Sequence, residues 1–132
     1  MKTIGIIGRI LYGLVFLVFG INHFTRTESL AQYVLGGWPL ATVLVYITGI
    51  AMILAGISIV IKVQHVLASA LLGILLFIFV FAIHIPGIIN AADQQAMQQS
   101  ITSLLKDTAL GGAAWFMAGV FSGPAVRQPD SE

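Results

Sequence analysis

The sequence predicts an all-α fold: a four-helix transmembrane bundle, running up-down-up-down, with both termini on the cytoplasmic side. Three observations carry this. Of the 132 residues, 58% are hydrophobic and 8% are charged, whereas soluble domains carry about 25% charged residues. So few charges cannot coat a water-facing surface. Mean hydropathy is correspondingly high, at +1.01. Lastly, the apolar residues gather into four runs close to the ~20 residues that a helix needs to cross a bilayer.

The first run covers about 4–24. Lys2 and Arg9 followed by apolar residues could mark a signal peptide, and Ser29-Leu30-Ala31 loosely matches a cleavage site. The further apolar runs downstream favour an uncleaved first membrane helix, with Arg9 snorkelling towards the interface. The second run covers about 38–61, with Pro39 in its first turn, where a missing N–H costs little. Lys62-Val63-Gln64 is too short for anything but an antiparallel turn into the third run, about 64–85, which Pro86-Gly87 is expected to end. The stretch 91–100, AADQQAMQQS, reads as a surface helix or as a helical extension of the fourth run. That fourth run, about 101–121, holds Lys106 and Asp107 in its first third and closes at Gly123-Pro124. One domain is expected over 1–123, followed by a disordered tail at 124–132.

Orientation follows the Lys/Arg bias. Lys2, Arg9, Lys62 and Arg127 fall on one side, and Arg26 and Lys106 on the other. Packing is expected through small residues, because lipid supplies no hydrophobic drive between helices. Gly13 and Gly20, Gly49 and Gly56, and Gly112 and Gly119 are each seven apart, and Ser69 and Gly73 are four apart. The same glycine-rich faces are also candidates for homo-oligomer contacts. The segments GLVFLVFGINH and GILLFIFVFAIH echo one another, a faint sign of a duplicated hairpin.

Ionisable residues at membrane depth mark candidate sites, because isolated charges are costly there. His23 and His84 end the first and third helices on the same outer side. His84 lies three helical turns after Gly73, and His23 three residues after Gly20, so both are expected to face inward. Asp107 shares a face with Gly111, Ala114 and Ala118. Asn22, Trp38 and Asn90 fall near the same level. A histidine beside a carboxylate is a proton-handling arrangement, and the His23 and His84 imidazoles are also a conceivable haem or metal pair. Trp38 at a helix start suits an interfacial anchor. Trp115 is expected to pack or line a cavity, His65 to lie at the surface, and most of Phe77, Phe79 and Phe81 to meet lipid.

Other chemistry is excluded or unmarked. The absence of cysteine removes disulfides, thiol catalysis and Fe–S clusters. A net charge of +1 lacks the basic stripe of a nucleic-acid partner. No phosphate loop, nucleophile elbow or zinc motif occurs.

The chain resembles the DoxX family of small four-span bacterial membrane proteins. The resemblance rests on Arg9-Ile10-Leu11, on FLVFGINHF at 16–24, on Gly49 and Gly56 in the second helix, on His84-Ile85-Pro86, and on KDTALGGAAWFMAG at 106–119. It implies a multi-pass protein of the bacterial inner (plasma) membrane. Some relatives are linked to quinone-dependent sulfur-compound oxidation or to membrane oxidoreductase complexes. Many members carry a glutamate four residues before the second-helix glycine, where this chain has Met52 before Gly56. The expectation is therefore an accessory, non-enzymatic subunit whose outer-end polar cavity binds a quinone-like or other amphipathic small molecule. The alternatives are a redox subunit using quinone or bis-histidine haem, and a structural scaffold in the lipid bilayer.

Overall fold

A computed structural model describes residues 1–32 and 38–123. The expected disordered tail at 124–132 and part of the polar loop, 33–37, lie outside the described residues. All regular structure among the described residues is helical: α1 (Lys2–Thr25), α2 (Thr27–Ala31), α3 (Ala41–Ile61), α4 (His65–Phe79), a π-helical turn (Val80–His84), α5 (Ile85–Ile89) and α6 (Gln94–Ser122). Three helices are long and apolar enough to cross a membrane: Lys2–Thr25, Ala41–Ile61 and the continuous His65–Ile89. α6 is longer, at 29 residues, but Lys106, Asp107 and its glutamines dilute its apolar character. Large side chains such as Leu54, Phe81 and Phe116 point outward and are more than half exposed. A belt of this kind suits lipid rather than water.

Several expected boundaries move. Pro39 stands in the turn before α3, whose N-cap is Leu40, so it precedes the first helical turn. The polar loop after α1 begins with a short helix. There the Thr27 hydroxyl donates to the carbonyls of His23 and Phe24, at 2.7 and 3.0 Å, and so satisfies acceptors left open at the end of α1. Of the stretch 91–100, residues 94–100 form the helical extension, continuous with α6. Its N-cap is Asp93, whose carboxylate accepts from the Ala96 N–H at 2.8 Å.

The third apolar helix does not stop at Pro86. It runs on to Ile89 through the π-turn. Proline offers no N–H and crowds the carbonyl four residues back. Widening the preceding turn to i→i+5 bonding, with the Ile85 N–H on the Val80 carbonyl, lets the chain pass the proline without breaking.

α1 packs antiparallel on α3 at glycine. A β-carbon added at Gly13 would lie 2.8 Å from the Gly56 carbonyl oxygen, and one at Gly20 would lie 2.8 Å from that of Gly49. The second antiparallel pair, α4 and α6, uses glycine differently. The indole of Trp115 fills the notch at Gly73, and the ring of Phe77 lies on Gly111. The pairs named from sequence thus hold on α1 and α3 but not on α6, where Gly112 and Gly119 face open space. Neighbouring Gly111 makes the contact instead, because the face that meets α4 is the one carrying Asp107, Gly111 and Ala114. Phe77 and Phe79 also correct an expectation. Both pack inward, and only Phe81 of the three is largely exposed.

Between the two pairs lies a core of Phe16, Met52, Ile59, Leu72 and Leu76. At the opposite end from His84, α3 and α4 join through Lys62 and Gln64, both in left-handed backbone conformation. Arg9 does not simply snorkel to this end. Its guanidinium donates to the carbonyls of Ile59, and of Val60 at 2.7 Å. These acceptors lie in the last turn of α3, where a cation also complements the helix dipole. Arg9→Met is expected to lower stability by about 1.5–3 kcal/mol, since hydrogen bonds to charged groups are worth that much. Unfolding in a graded denaturing detergent would measure it, and a change within error of zero would contradict it.

Candidate functional site

The end of the α4–α6 seam away from the Lys62–Gln64 turn carries the candidate site. Its geometry follows from the antiparallel register. Moving from the Gly73–Trp115 contact to Phe77–Gly111 takes four residues on each helix. The next four on α6 reach Asp107, where the same step on α4 would arrive at Phe81. The partner of Asp107 is instead His84, at the end of the π-turn. Helical side chains lean towards their own N-terminus, and the π-turn fits more residues into one turn. Together these bring the longer, polar side chain to the acid and leave Phe81 at the lipid surface.

His84 Nε2 lies 2.6 Å from Asp107 Oδ2. The pair is largely enclosed, with 15% of the histidine side chain and 8% of the aspartate side chain exposed. Lys106 Nζ lies 3.7 Å from Asp107 Oδ1, and its own side chain is 49% exposed. That distance is beyond a normal hydrogen bond. The same ammonium sits 4.9 Å from the centre of the Phe19 ring on α1, a cation–π contact. Asp107 is therefore held by an imidazole on one oxygen and approached by an ammonium on the other. Pairing of this kind is the usual accommodation of an enclosed carboxylate.

The other sequence candidates sit apart from this pair. His23 Nδ1 is 2.7 Å from the carbonyl of Phe19 in its own helix, and its β-carbon fills the Gly49 notch. Its contacts are thus with its own helix and with the α3 backbone notch. Asn22 is half-buried, and its backbone carbonyl accepts from the Arg26 N–H at 2.9 Å. Trp38 and Asn90 are exposed. Trp115 packs as expected, with its indole N–H donating to the Ala70 carbonyl at 3.2 Å. His65 is half-buried, edge-on to Phe121. On His23 and His84, the pair considered for haem, Nδ1 and Nε2 respectively face protein acceptors, which leaves His23 Nε2 and His84 Nδ1 as the remaining ring nitrogens. Among the described residues no cluster of three metal-ligating side chains forms.

Three polar groups have larger roles than the sequence reading gives them: Tyr12 is not named there, Lys106 is named only as a charge in the fourth run, and Ser69 only as a packing residue. The Tyr12 hydroxyl donates to the Leu110 carbonyl at 2.6 Å, tying α1 to α6. Lys106 joins the site from the seam side. The Ser69 hydroxyl is fully buried with no hydrogen-bond partner among the described residues. Only Lys106 carried a signal, its adjacency to Asp107. Met52 is buried in the apolar core beside Phe16 and Leu72. Comparison with protein-family models, with curated proteins and with solved structures finds no match to this chain.

Proposed function

We propose that the chain is a four-span protein of the bacterial inner membrane, with both termini cytoplasmic, that resembles DoxX proteins. In this reading it acts as an accessory subunit beside a membrane oxidoreductase. It binds a quinone-like or other amphipathic small molecule at the outer end of the bundle. The observation that carries this is the enclosed His84–Asp107 pair. A buried ionisable pair adds little to stability compared with apolar packing, so its presence in an otherwise apolar bundle argues for a functional demand. α6 as the fourth span is supported by its length and by its packing along α4, which matches both charges near its outer third to partners. Met52 in the apolar core leaves no second acid there, which favours binding over catalysis.

The test is the lipid extract of purified protein. Bound quinone is expected in the wild type and should be lost in His84→Ala, with helix content unchanged by circular dichroism. Equal quinone in both preparations, or none in the wild type, would count against the reading.

A further inference from the structure

The seam between α1 and α6 differs from the others in the bundle. α1 meets α3 at glycine backbones, and α4 meets α6 by fitting aromatic rings against glycine. Between α1 and α6, however, no pair of Cα atoms approaches within 8 Å among the described residues. Side chains alone bridge this seam: the Tyr12 hydroxyl to the Leu110 carbonyl, and the Lys106 ammonium over the Phe19 ring. Behind Lys106 lies the His84–Asp107 pair. A seam closed by side chains, including Phe19, Leu110 and Met117 around the shared core, is easier to part than one closed by interlocked backbone, and Lys106 stands between this one and the enclosed pair.

The hydrogen-bonding capacity at that point is specific. With Nε2–H of the neutral His84 ring donating to the Asp107 carboxylate, Nδ1 presents a lone pair. No hydrogen bond to Nδ1 is found among the described residues, and the ring retains some exposure. The Lys106 ammonium has three N–H donors and lies beyond hydrogen-bond reach of Asp107. An acceptor nitrogen backed by a carboxylate, beside an ammonium whose donors make no hydrogen bond among the described residues, matches a group that gives up a proton from oxygen and then carries negative charge.

We propose, building on the binding function above, that Lys106 is a ligand-contacting residue that selects an amphiphile whose head is a weak oxygen acid, admitted through the α1–α6 seam. The ligand O–H donates to His84 Nδ1. When the proton transfers, the O–H bond breaks, an N–H bond forms, Asp107 stabilises the imidazolium, and Lys106 pairs with the oxyanion. No electrons are exchanged in this step. The neutral and charged groups facing the ligand are His84, Asp107 and Lys106, and the face contributed by α1 is the aromatic ring of Phe19. Two sources share this head-group chemistry, a phenolic ring such as a reduced quinone and a long-chain carboxylic acid.

The experiment uses the full chain in nanodiscs of neutral lipid, with binding followed by tryptophan fluorescence. The probes are a long-chain alkylphenol, its methyl ether and a fatty acid of equal length. The wild type should bind the phenol, the fatty acid or both about tenfold or more tightly than the ether, as expected when a charge-assisted hydrogen bond is lost. The arm that binds identifies the source. Lys106→Met should bring the acidic probe down to the affinity of the ether while ether binding persists. Lys106→Arg should retain the preference. An undiminished preference in Lys106→Met overturns the role of Lys106, as does equal binding of all probes by the wild type. If the wild type binds no probe at all, both this proposal and the underlying binding function fall.

Discussion

Gly20→Val is expected to disrupt the α1–α3 seam and to cost about 3 kcal/mol, the upper end of the usual range for overpacking. A β-carbon at Gly20 would stand 2.8 Å from the Gly49 carbonyl oxygen and 3.0 Å from the Ile53 amide nitrogen. Both are backbone atoms of the facing helix, so no rotamer change can relieve the clash and the helices must separate. Separation also affects the neighbouring notch, where Gly13 and Gly56 approach just as closely. Within lipid, this close packing is the main source of attraction between the helices, and dispersion falls away steeply with a gap of even 1 Å or less. Gly112→Val and Gly119→Val serve as controls, because a β-carbon at either glycine meets nothing within 4 Å. Unfolding in graded denaturing detergent should separate the variants clearly. Equal stability of Gly20→Val and Gly112→Val would refute the packing account.

The second large effect concerns the His84–Asp107 pair, tested as a double-mutant cycle. His84→Leu leaves a carboxylate with 8% side-chain exposure without its closest partner. Breaking a buried pair from one side costs about 3–5 kcal/mol. Lys106, 3.7 Å away and half-exposed, compensates in part, so the lower end of that range is expected. Asp107→Leu leaves behind an imidazole that can remain neutral, and it should cost less, about 1–3 kcal/mol for an unsatisfied polar group. The double variant His84→Leu/Asp107→Leu removes both polar groups and should recover most of the loss, because an apolar replacement of a whole buried pair is often neutral or stabilising. Ligand binding should be absent in all three. Recovery of stability without recovery of binding is the signature of a pair kept for function. If the double variant is as unstable as the worse single one, the pair is chiefly structural.

Much of the architecture was legible in the chain itself. The apolar runs and the scarcity of charge announced lipid-facing helices, and the seven-residue glycine spacing on the first two named the α1–α3 contact surface. The inward face of α6 could be read from Asp107, Gly111 and Ala114, because helical periodicity alone places them together. Residue spacing also pointed His84 towards Asp107. Proline misled, since its local preference for ending a helix was overridden by a widened turn. Gly112 and Gly119 misled as well, since a spacing pattern says which residues share a face but not which face meets a neighbour.

What the sequence by itself determined is therefore the kind of object: apolar helices, close-packed through glycine, with a few ionisable groups gathered towards one end. Periodicity and composition are local properties, and they survive any arrangement of the helices. Only the tertiary structure decided which polar groups meet. It paired His84 with Asp107, left His23 on the carbonyl of its own helix, laid Lys106 across the seam to Phe19, and drew Arg9 onto the last carbonyls of α3. Each of these contacts depends on the relative height and rotation of two helices. Those are set by close packing across each seam, at distances where a single methyl group or one widened turn changes which side chain reaches its partner.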